Sequence, residues 1–337
     1  MPGSKDDTSG HILDLRSGGD RPGNIGLLYD RIASELRSPY AEWIGDLGHD
    51  TGDSLDWWLE SPATRNPVFS ALYHQLVSLM VLKEGVTSGH APGQVLVDSP
   101  AMAAAVRRLL PGNRTRIVGP GIGRRLATWL RRILSPPRSM VRLMREWRAA
   151  RSRGWIPPDL PPRPILVDTF AIPGYVEKDR YYPGMRELAG EAAERVLFVP
   201  QFFNMKPSDI RRAAVQLTEK HYLIKERWLG WSDMLWCFGH LFRLRRTLPE
   251  SAVFRGLELR DLVHEDIYRR LGFRCAVRGL MNYRFAMALG RAGVKPALII
   301  DWFENHPMDR GWNAGFNLSF GDTPRFGYTG FFPAGMS

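Results

Sequence analysis

Short runs of apolar residues, each closed by a polar residue, recur along this chain and limit its fold more than any other feature. Four or five apolar residues without alternation are typical of strands buried on both faces, as in a parallel sheet. The runs are ILDLRSGG (12–19), QVLVDSP (94–100), TRIVGPG (115–121), PILVDTF (164–170), RVLFVPQFF (195–203), HYLIKER (221–227) and PALIIDWFE (296–304).

Helical patterns lie between these runs, at 100–110, 206–220 and 275–292. Strands that alternate with helices predict an α/β fold, with a Rossmann-like, mostly parallel sheet and helices on both of its faces. Because the carboxyl ends of parallel strands meet at one edge, that edge is where a ligand is expected to bind.

One segment, 122–154, departs from this pattern because ten arginines in it face a single acid, Glu146. Its apolar residues recur at helical spacing, and Pro136-Pro137 predicts a break into two helices. Three interpretations stay open: a solvated basic face, a helix lying on anionic lipid, and a nucleic-acid surface. Nucleic acid is the least favoured, since no finger, basic zipper or RNA-binding sheet motif is present. The candidate anion-binding residues are Arg124, Arg125, Arg131, Arg132, Arg142 and Arg145.

These patterns predict four parts of the chain. Residues 1–10 form a disordered tail, 11–120 a first α/β part, 121–155 a basic amphipathic helical insertion, and 156–337 a second α/β part. The proline-rich 156–164 stretch acts as a stiff connector, which places a boundary near residue 155.

Charge and cysteine content narrow the class of protein. Lys plus Arg number 46 against 35 Asp plus Glu, a net charge of +11, which favours anionic partners. The two cysteines, Cys237 and Cys275, form no CxxC pair, so neither a zinc finger nor a disulfide scaffold is expected. The N-terminus has no apolar core of a signal peptide, and the expected compartment is a reducing cytoplasm, where the protein would meet a membrane only at its surface.

Several polar residues follow the predicted strands and form candidate binding positions. Asp168 could bind a ligand or cap a helix, and the pair Lys225-Glu226 follows another apolar run. Asp98-Ser99-Pro100 is better explained as a helix cap. Arg180 and Tyr182, after the 164–170 run, could hold a sugar or phosphate or could equally belong to a packed loop.

The stretch IIDWFENHPMDRGWNAGF (299–316) concentrates polar groups at the end of a predicted strand. Pro307 predicts a helix start, with Asn305 or His306 as the cap and Asp309 in the first turn. Glu304 then has no structural role, so we predict that it is a general base, with His306 as the competing candidate.

Known catalytic signatures are absent, namely HExxH, GxSxG, the P-loop and DxD. The glycines of IVGPGIGRR (117–125) lack the third glycine and the later acid of a dinucleotide site, so a turn into a helix is expected instead. No metal is predicted.

WFENHPMDRGWNAGF followed by TPRFGYTGFFP resembles a stretch of bacterial surface-carbohydrate (capsule, O-antigen or exopolysaccharide) glycosyltransferase-like proteins. The segments 61–76, 165–184 and 280–289 are similar too, so the likeness covers most of the chain. The motif falls on Glu304, Asn305, Asp309, Trp312, Asn313, Gly315 and Phe316, then on Gly327, Tyr328 and Gly330.

The resemblance implies a GT-B-like architecture, with a nucleotide-sugar as co-substrate rather than a cofactor, and a glycan or lipid-linked acceptor. Asp301 is a candidate substrate-binding residue because it follows a predicted strand, and the resemblance adds Asn305, Trp312 and Tyr328. In such proteins the motif leads into a second nucleotide-binding domain, so a further C-terminal domain or a separate chain is expected. The alternative function is a non-catalytic basic module that lies on a membrane surface or scaffolds the same pathway.

Overall fold

The computed structural model describes residues 12–19, 23–66, 69–110, 112, 115–151, 160–174, 176, 181–217, 221–268 and 272–329. The chain is a mixed α/β protein with parallel sheets and divides into two compact units. Unit 1 comprises Met1–Ser54, Ser61–Leu134 and Thr247–Gly272, and unit 2 comprises Leu55–Glu60, Ser135–Arg246 and Phe273–Ser337. The predicted tail (1–10) and the predicted boundary near residue 155 lie outside the described residues.

Unit 1 contains a three-stranded parallel sheet in the order β1-β2-β3. Its helices bury aliphatic side chains against one another, for example Leu36 and Ile44 from the first helix and Leu76 from the third. The elements of this unit are β1 (Ile12–Asp14), α1 (Gly23–Asp50), α3 (Leu72–Thr87), β2 (Gln94–Leu96), α4 (Pro100–Leu109), β3 (Arg116–Val118), the hairpin β6 (Val253–Phe254) and β7 (Leu257–Glu258), and α10 (Arg260–Ile267).

Polar side chains bond the amides at the starts of two helices in unit 1. One of these caps was predicted from the sequence, and the other comes from a residue distant in sequence. Ser99 caps α4, since its hydroxyl accepts a hydrogen bond from the Met102 amide at 3.0 Å. A carboxylate of α10 serves α3, because Asp266 accepts from the Ala71 amide at 3.1 Å.

Unit 2 contains a four-stranded parallel sheet in the order β5-β4-β8-β9. In chain order, the helices and strands of this unit are α2 (Leu55–Trp58), β4 (Ile165–Ala171), α6 (Met185–Leu188), β5 (Val196–Phe202), α7 (Pro207–Gln216), α8 (Trp231–Phe238), α9 (His240–Thr247), α11 (Gly272–Arg291), β8 (Leu298–Trp302), α12 (Pro307–Ser319) and β9 (Arg325–Tyr328).

Side-chain alternation gives the unit 2 sheet two different faces. Leu166, Val199 and Ile299 point to the face covered by apolar residues of α11 and α12, among them Phe285 and Trp312. Neighbouring positions in each strand point to the other face, where an aromatic cluster forms around Trp302, Phe198 and Tyr182. The face under α11 and α12 is the one that carries the polar groups of the candidate site.

Helix α5 (Ile122–Ala150) corrects the predicted break at Pro136-Pro137, because it is one continuous helix with both prolines inside it. Proline removes the amide that would bond the carbonyl four residues earlier, here Arg132 and Ile133. Ile133 and Leu134 are exposed, and solvent there can hydrate the freed carbonyls. The helix passes from unit 1 to unit 2 between Leu134 and Ser135.

Two further expectations differ from the structure. The run 221–227 is not a regular strand: Tyr222 makes one isolated parallel bridge to Phe198, and Lys225–Arg227 form a 3₁₀ turn. Strand β9 lies within the TPRFGYTGFFP stretch (323–333), where no strand was predicted, and it extends the sheet beside β8. Among the described residues, no helix is both long enough and apolar enough to cross a bilayer.

Candidate active site

The candidate site of unit 2 lies at the carboxyl end of its parallel sheet. Asp168 of β4 stands beside Asp301 of β8, because Val167 pairs with Ile300 in the register of the two strands. Gln201 of β5 points to the same face and donates to Asp168 Oδ1 at 2.7 Å. Strand alternation and parallel register therefore bring together three polar side chains that are far apart in sequence.

Helix α11 and the 3₁₀ turn at the end of the 221–227 run complete a buried polar network. Gln201 Nε2 also donates to Asn282 Oδ1 at 3.0 Å, and Lys225 Nζ donates to the same oxygen at 2.6 Å. Lys225 Nζ further contacts Gln201 Oε1. Asn282 is held in turn by its own donation to the Met308 carbonyl at 3.1 Å. Lys225 therefore meets Asp168 through Gln201, without a direct ion pair among the described contacts.

Burial shifts the protonation of this network. It raises the pKa of Asp168 to about 7, although the hydrogen bond from Gln201 and the charge of Lys225 oppose the shift. It lowers the pKa of Lys225 to about 8. The pKa of Asp301 is raised by burial and by the nearby carboxylates of Asp309 and Asp168. Near neutral pH Asp168 and Lys225 can exchange protons with little cost, which suits proton-transfer chemistry.

The turn from β8 into α12 is held by Asp309. Its Oδ2 accepts from the Glu304 amide at 2.7 Å and from the His306 amide at 3.3 Å, while His306 is the N-cap residue and Pro307 the first helical residue. This confirms the predicted helix start. Asn305 has a positive φ of 57°, a conformation that asparagine tolerates better than most residues.

His306 lies between two carboxylates. Its Nδ1 is 2.7 Å from Asp309 Oδ1, and its Nε2 is 4.0 Å from Glu304 Oε2. Burial would lower the pKa of His306, but the hydrogen bond and charge of Asp309 outweigh it and raise that pKa. His306, which the sequence offered as the competing candidate for the general base, is only 3% exposed.

Glu304 is the most exposed polar residue of this turn, with 38% of its side chain accessible. Its Oε1 accepts a hydrogen bond from Trp302 Nε1 at 2.7 Å, which fixes the carboxylate at the end of β8. Phe303, directly after β8, and Tyr328, at the end of β9, are exposed, and the Phe303 amide donates to the Tyr328 carbonyl at 2.9 Å. A fixed, half-exposed carboxylate beside aromatic rings thus marks the accessible part of the site.

Three aspartates could hold a cation. One carboxylate oxygen from each of Asp168, Asp301 and Asp309 lies within 4.8 Å of the other two, and all three side chains are buried. Each already makes a hydrogen bond, for Asp301 from Asn313 Nδ2 at 2.5 Å to Oδ2. Protons shared among the carboxylates are the other way to reduce their mutual repulsion.

The remaining candidates have varied positions. Glu226 is buried and lines a cavity of about 20 Å³ with Lys225, Arg278 and Glu146. Tyr182 is buried in the aromatic cluster, with its ring centroid 5.9 Å from that of Trp302. Arg180 and Gly330 lie outside the described residues, as do the side chains of Arg124 and Arg132, whereas Arg125, Arg131, Arg142 and Arg145 lie on α5 and are exposed.

The predicted binding role of Trp312 is corrected, because this side chain of α12 is fully buried against Phe285 and belongs to the core. Asn282 is the functional residue that sequence reasoning missed. Its signal was a lone amide on the apolar face of a helical pattern, next to Leu280 and Met281. The chain matches no known protein family, no curated protein and no solved structure.

Proposed function

We propose that this chain is a glycosyltransferase-like protein of bacterial surface polysaccharide biosynthesis, with a GT-B-like arrangement of its sheets. It would transfer a sugar from a nucleotide-sugar to a hydroxyl of a glycan or lipid-linked acceptor. The observation that carries the proposal is the placement of Glu304: a half-exposed carboxylate, fixed by Trp302 at the carboxyl end of a parallel sheet. The resemblance of the 302–316 and 323–333 stretches to that class of protein supplies the kind of reaction.

In this reaction the acceptor oxygen forms a bond to the anomeric carbon of the donor sugar, and its proton passes to the Glu304 carboxylate. The bond from that carbon to the phosphate oxygen breaks, and the nucleoside diphosphate leaves with the electron pair. Glu304 suits the first step because its two oxygens have different surroundings. Oε1 is held by Trp302 and Oε2 lies 4.0 Å from His306 Nε2, so the carboxylate has a defined orientation.

The buried groups have positioning roles in this proposal. Asp309 fixes both the Glu304 amide and His306, and Asn313 ties Asp301 to the Asp309 carbonyl through donations of 2.5 and 2.9 Å. The motif residues Glu304, Asp309 and Asn313 thus form one hydrogen-bonded turn, while Trp312 and Phe316 pack beneath it. The exposed ring of Tyr328 offers an apolar face for a sugar.

The test uses the full chain, radiolabelled UDP-, GDP- and dTDP-sugars, and a lipid extract of bacterial membranes as acceptor. We expect transfer from at least one donor, and a loss of about 100-fold or more in kcat with Glu304→Gln, the low end for removal of a general base. Glu187→Gln, an exposed glutamate of α6, is the matched control and should keep its activity. Unchanged turnover in Glu304→Gln would remove the base assignment. A chain that neither transfers sugar nor gains thermal stability from any of the donors would refute the transferase proposal.

A further inference from the structure

Helix α5 has two halves that differ in how their apolar residues are covered. In the second half, Leu143 and Trp147 are buried in the core of unit 2. In the first half the same side of the helix is uncovered: Ile122 is 85% and Trp129 56% exposed, and Leu126, Leu130 and Ile133 are exposed as well. A basic helix that merely packs on the protein would bury its apolar side throughout, so that interpretation fails for the first half.

These five residues form one stripe, which we call the α5 stripe (Ile122, Leu126, Trp129, Leu130 and Ile133). Their spacing of 4, 3, 1 and 3 residues places them on one face of a helix, over about 16 Å of its axis. Large apolar residues exposed as a continuous stripe, rather than singly, mark an interaction surface.

The charge around the stripe identifies what covers it. The helix and the three residues after it carry ten arginines and one acid, Glu146. That acid is already paired, with Arg142 at 2.8 Å and with Arg278 at 2.7 Å, so it does not neutralise the others. Arg131 lies on the opposite face to the stripe and is exposed. A tryptophan-containing apolar face with an arginine-rich polar face is the composition of a helix that lies in the interface of an anionic bilayer.

We propose that the first half of α5 docks this protein on the surface of a membrane that contains anionic lipid, with the α5 stripe inserted among the acyl chains and the arginines at the phosphate level. This binding function goes beyond the proposed transfer reaction and does not rest on it. Its physical basis is burial of the stripe, to which the arginines add an electrostatic attraction that salt weakens.

The experiment is co-sedimentation of the full chain with vesicles of phosphatidylglycerol and phosphatidylcholine, compared with vesicles of phosphatidylcholine alone. We expect binding to the anionic vesicles that falls as NaCl rises from 0.1 to 0.5 M. Leu126→Glu/Trp129→Glu should lower the binding constant about tenfold or more, because it removes apolar insertion and adds negative charge. The matched control is Leu188→Glu/Leu318→Glu, which changes two exposed leucines outside α5 and adds the same charge.

Both double variants change exposed side chains, so their thermal unfolding should stay close to that of the parent chain. If Leu126→Glu/Trp129→Glu fails to fold, Leu130→Ser/Ile133→Ser tests the same face without added charge. Absence of binding to the anionic vesicles, or equal losses in the test and control variants, overturns the proposal. A dimer in solution that only the stripe variants dissociate would also overturn it, since the stripe would then be a contact between two copies. Tighter binding to duplex DNA than to the vesicles would overturn it as well.

Discussion

At the scale of single residues, His240 shows how this chain stabilises a buried charge. The imidazole is fully buried, with Nδ1 2.7 Å from Asp56 Oδ1 and Nε2 2.6 Å from Glu60 Oε1. Arg243 closes the cluster, because its Nε donates to Asp56 Oδ2 at 2.7 Å. Burial would lower the pKa of His240, but the hydrogen bonds and charges of the two carboxylates raise it to about 9.

This cluster predicts a pH dependence of stability. The folded pKa of His240 lies above the ordinary value of 6.5, so its contribution is fully present below pH 6.5 and is lost as the pH rises through about 9. The shift corresponds to about 3 kcal/mol. In urea denaturation, we expect His240→Gln to be less stable than the parent chain at pH 6.5, with a difference that shrinks towards pH 9.5. His49→Gln, which changes an exposed histidine, should follow the parent chain. Parallel curves for His240→Gln and the parent chain across this range would contradict the charged state of His240.

Residue-scale chemistry was only partly visible in the sequence. Glu304, His306 and Asp309 could be chosen because they are neighbours in sequence at a predicted strand end, and strand-end logic also pointed to Asp168 and Lys225. The hydrogen bonds through Gln201 and Asn282 depend on the pairing of β4 with β5 and on the packing of α11, which no local pattern encodes. Burial of His306 has the same origin, since it depends on what covers the turn.

At the scale of elements, the packing of α12 on α11 explains the glycines of the motif. A Cβ at Gly311 would lie 1.9 Å from the Gly279 carbonyl oxygen, and one at Gly315 would lie 2.7 Å from Tyr283 Cα. The two helices therefore approach through their backbones, and this approach sets the position of the turn that carries Glu304. The motif combines two physical demands: ENHPMD builds the polar turn, and RGWNAGF packs the helix behind it.

A Gly311→Ala substitution tests this close approach. We expect a loss of about 2–3 kcal/mol or more in the free energy of unfolding, because the new methyl group meets backbone that cannot give way. Gly123→Ala is the matched control: this glycine also lies in a helix, but nothing stands within 4 Å of its Cβ position. The control should be neutral or stabilising by about 0.5–1 kcal/mol. Equal effects of the two substitutions in chemical denaturation would contradict the backbone contact.

Element prediction succeeded where one local signal dominated and failed where two competed. A strand forms within or across each of the runs at 12–19, 94–100, 115–121, 164–170, 195–203 and 296–304, as uninterrupted apolar residues indicate. The double proline favoured a break, but the helix continues through an exposed stretch where water can replace the lost hydrogen bonds. In the 221–227 run the apolar residues are buried around a turn instead of along a strand, because burial alone does not fix the backbone geometry.

At the scale of the whole molecule, the two units are each assembled from segments that are distant in sequence. Residues 247–272 belong to unit 1 although they follow most of unit 2 in sequence. Unit 2 in turn includes the short segment 55–60, which lies between two segments of unit 1. Composition shifts along the chain do not reveal such returns, since they mark linear boundaries only. Each unit nevertheless has its own parallel sheet and its own buried side chains, which is the physical definition of a separate core.

Separate cores predict that a cavity in one unit affects that unit first. Leu76 is fully buried in α3 of unit 1, and Leu76→Ala should cost about 2–5 kcal/mol there. In native-state hydrogen exchange, we expect faster exchange of the amides in α1, α3 and α10, while the amides of β4, β5 and β8 keep their protection. Leu280→Ala, which removes a fully buried leucine from α11 in unit 2, is the matched control and should give the reverse pattern. If either substitution lowered the protection of amides equally in both sheets, exchange would occur through one global opening. The chain would then unfold as one cooperative body, which would contradict the prediction.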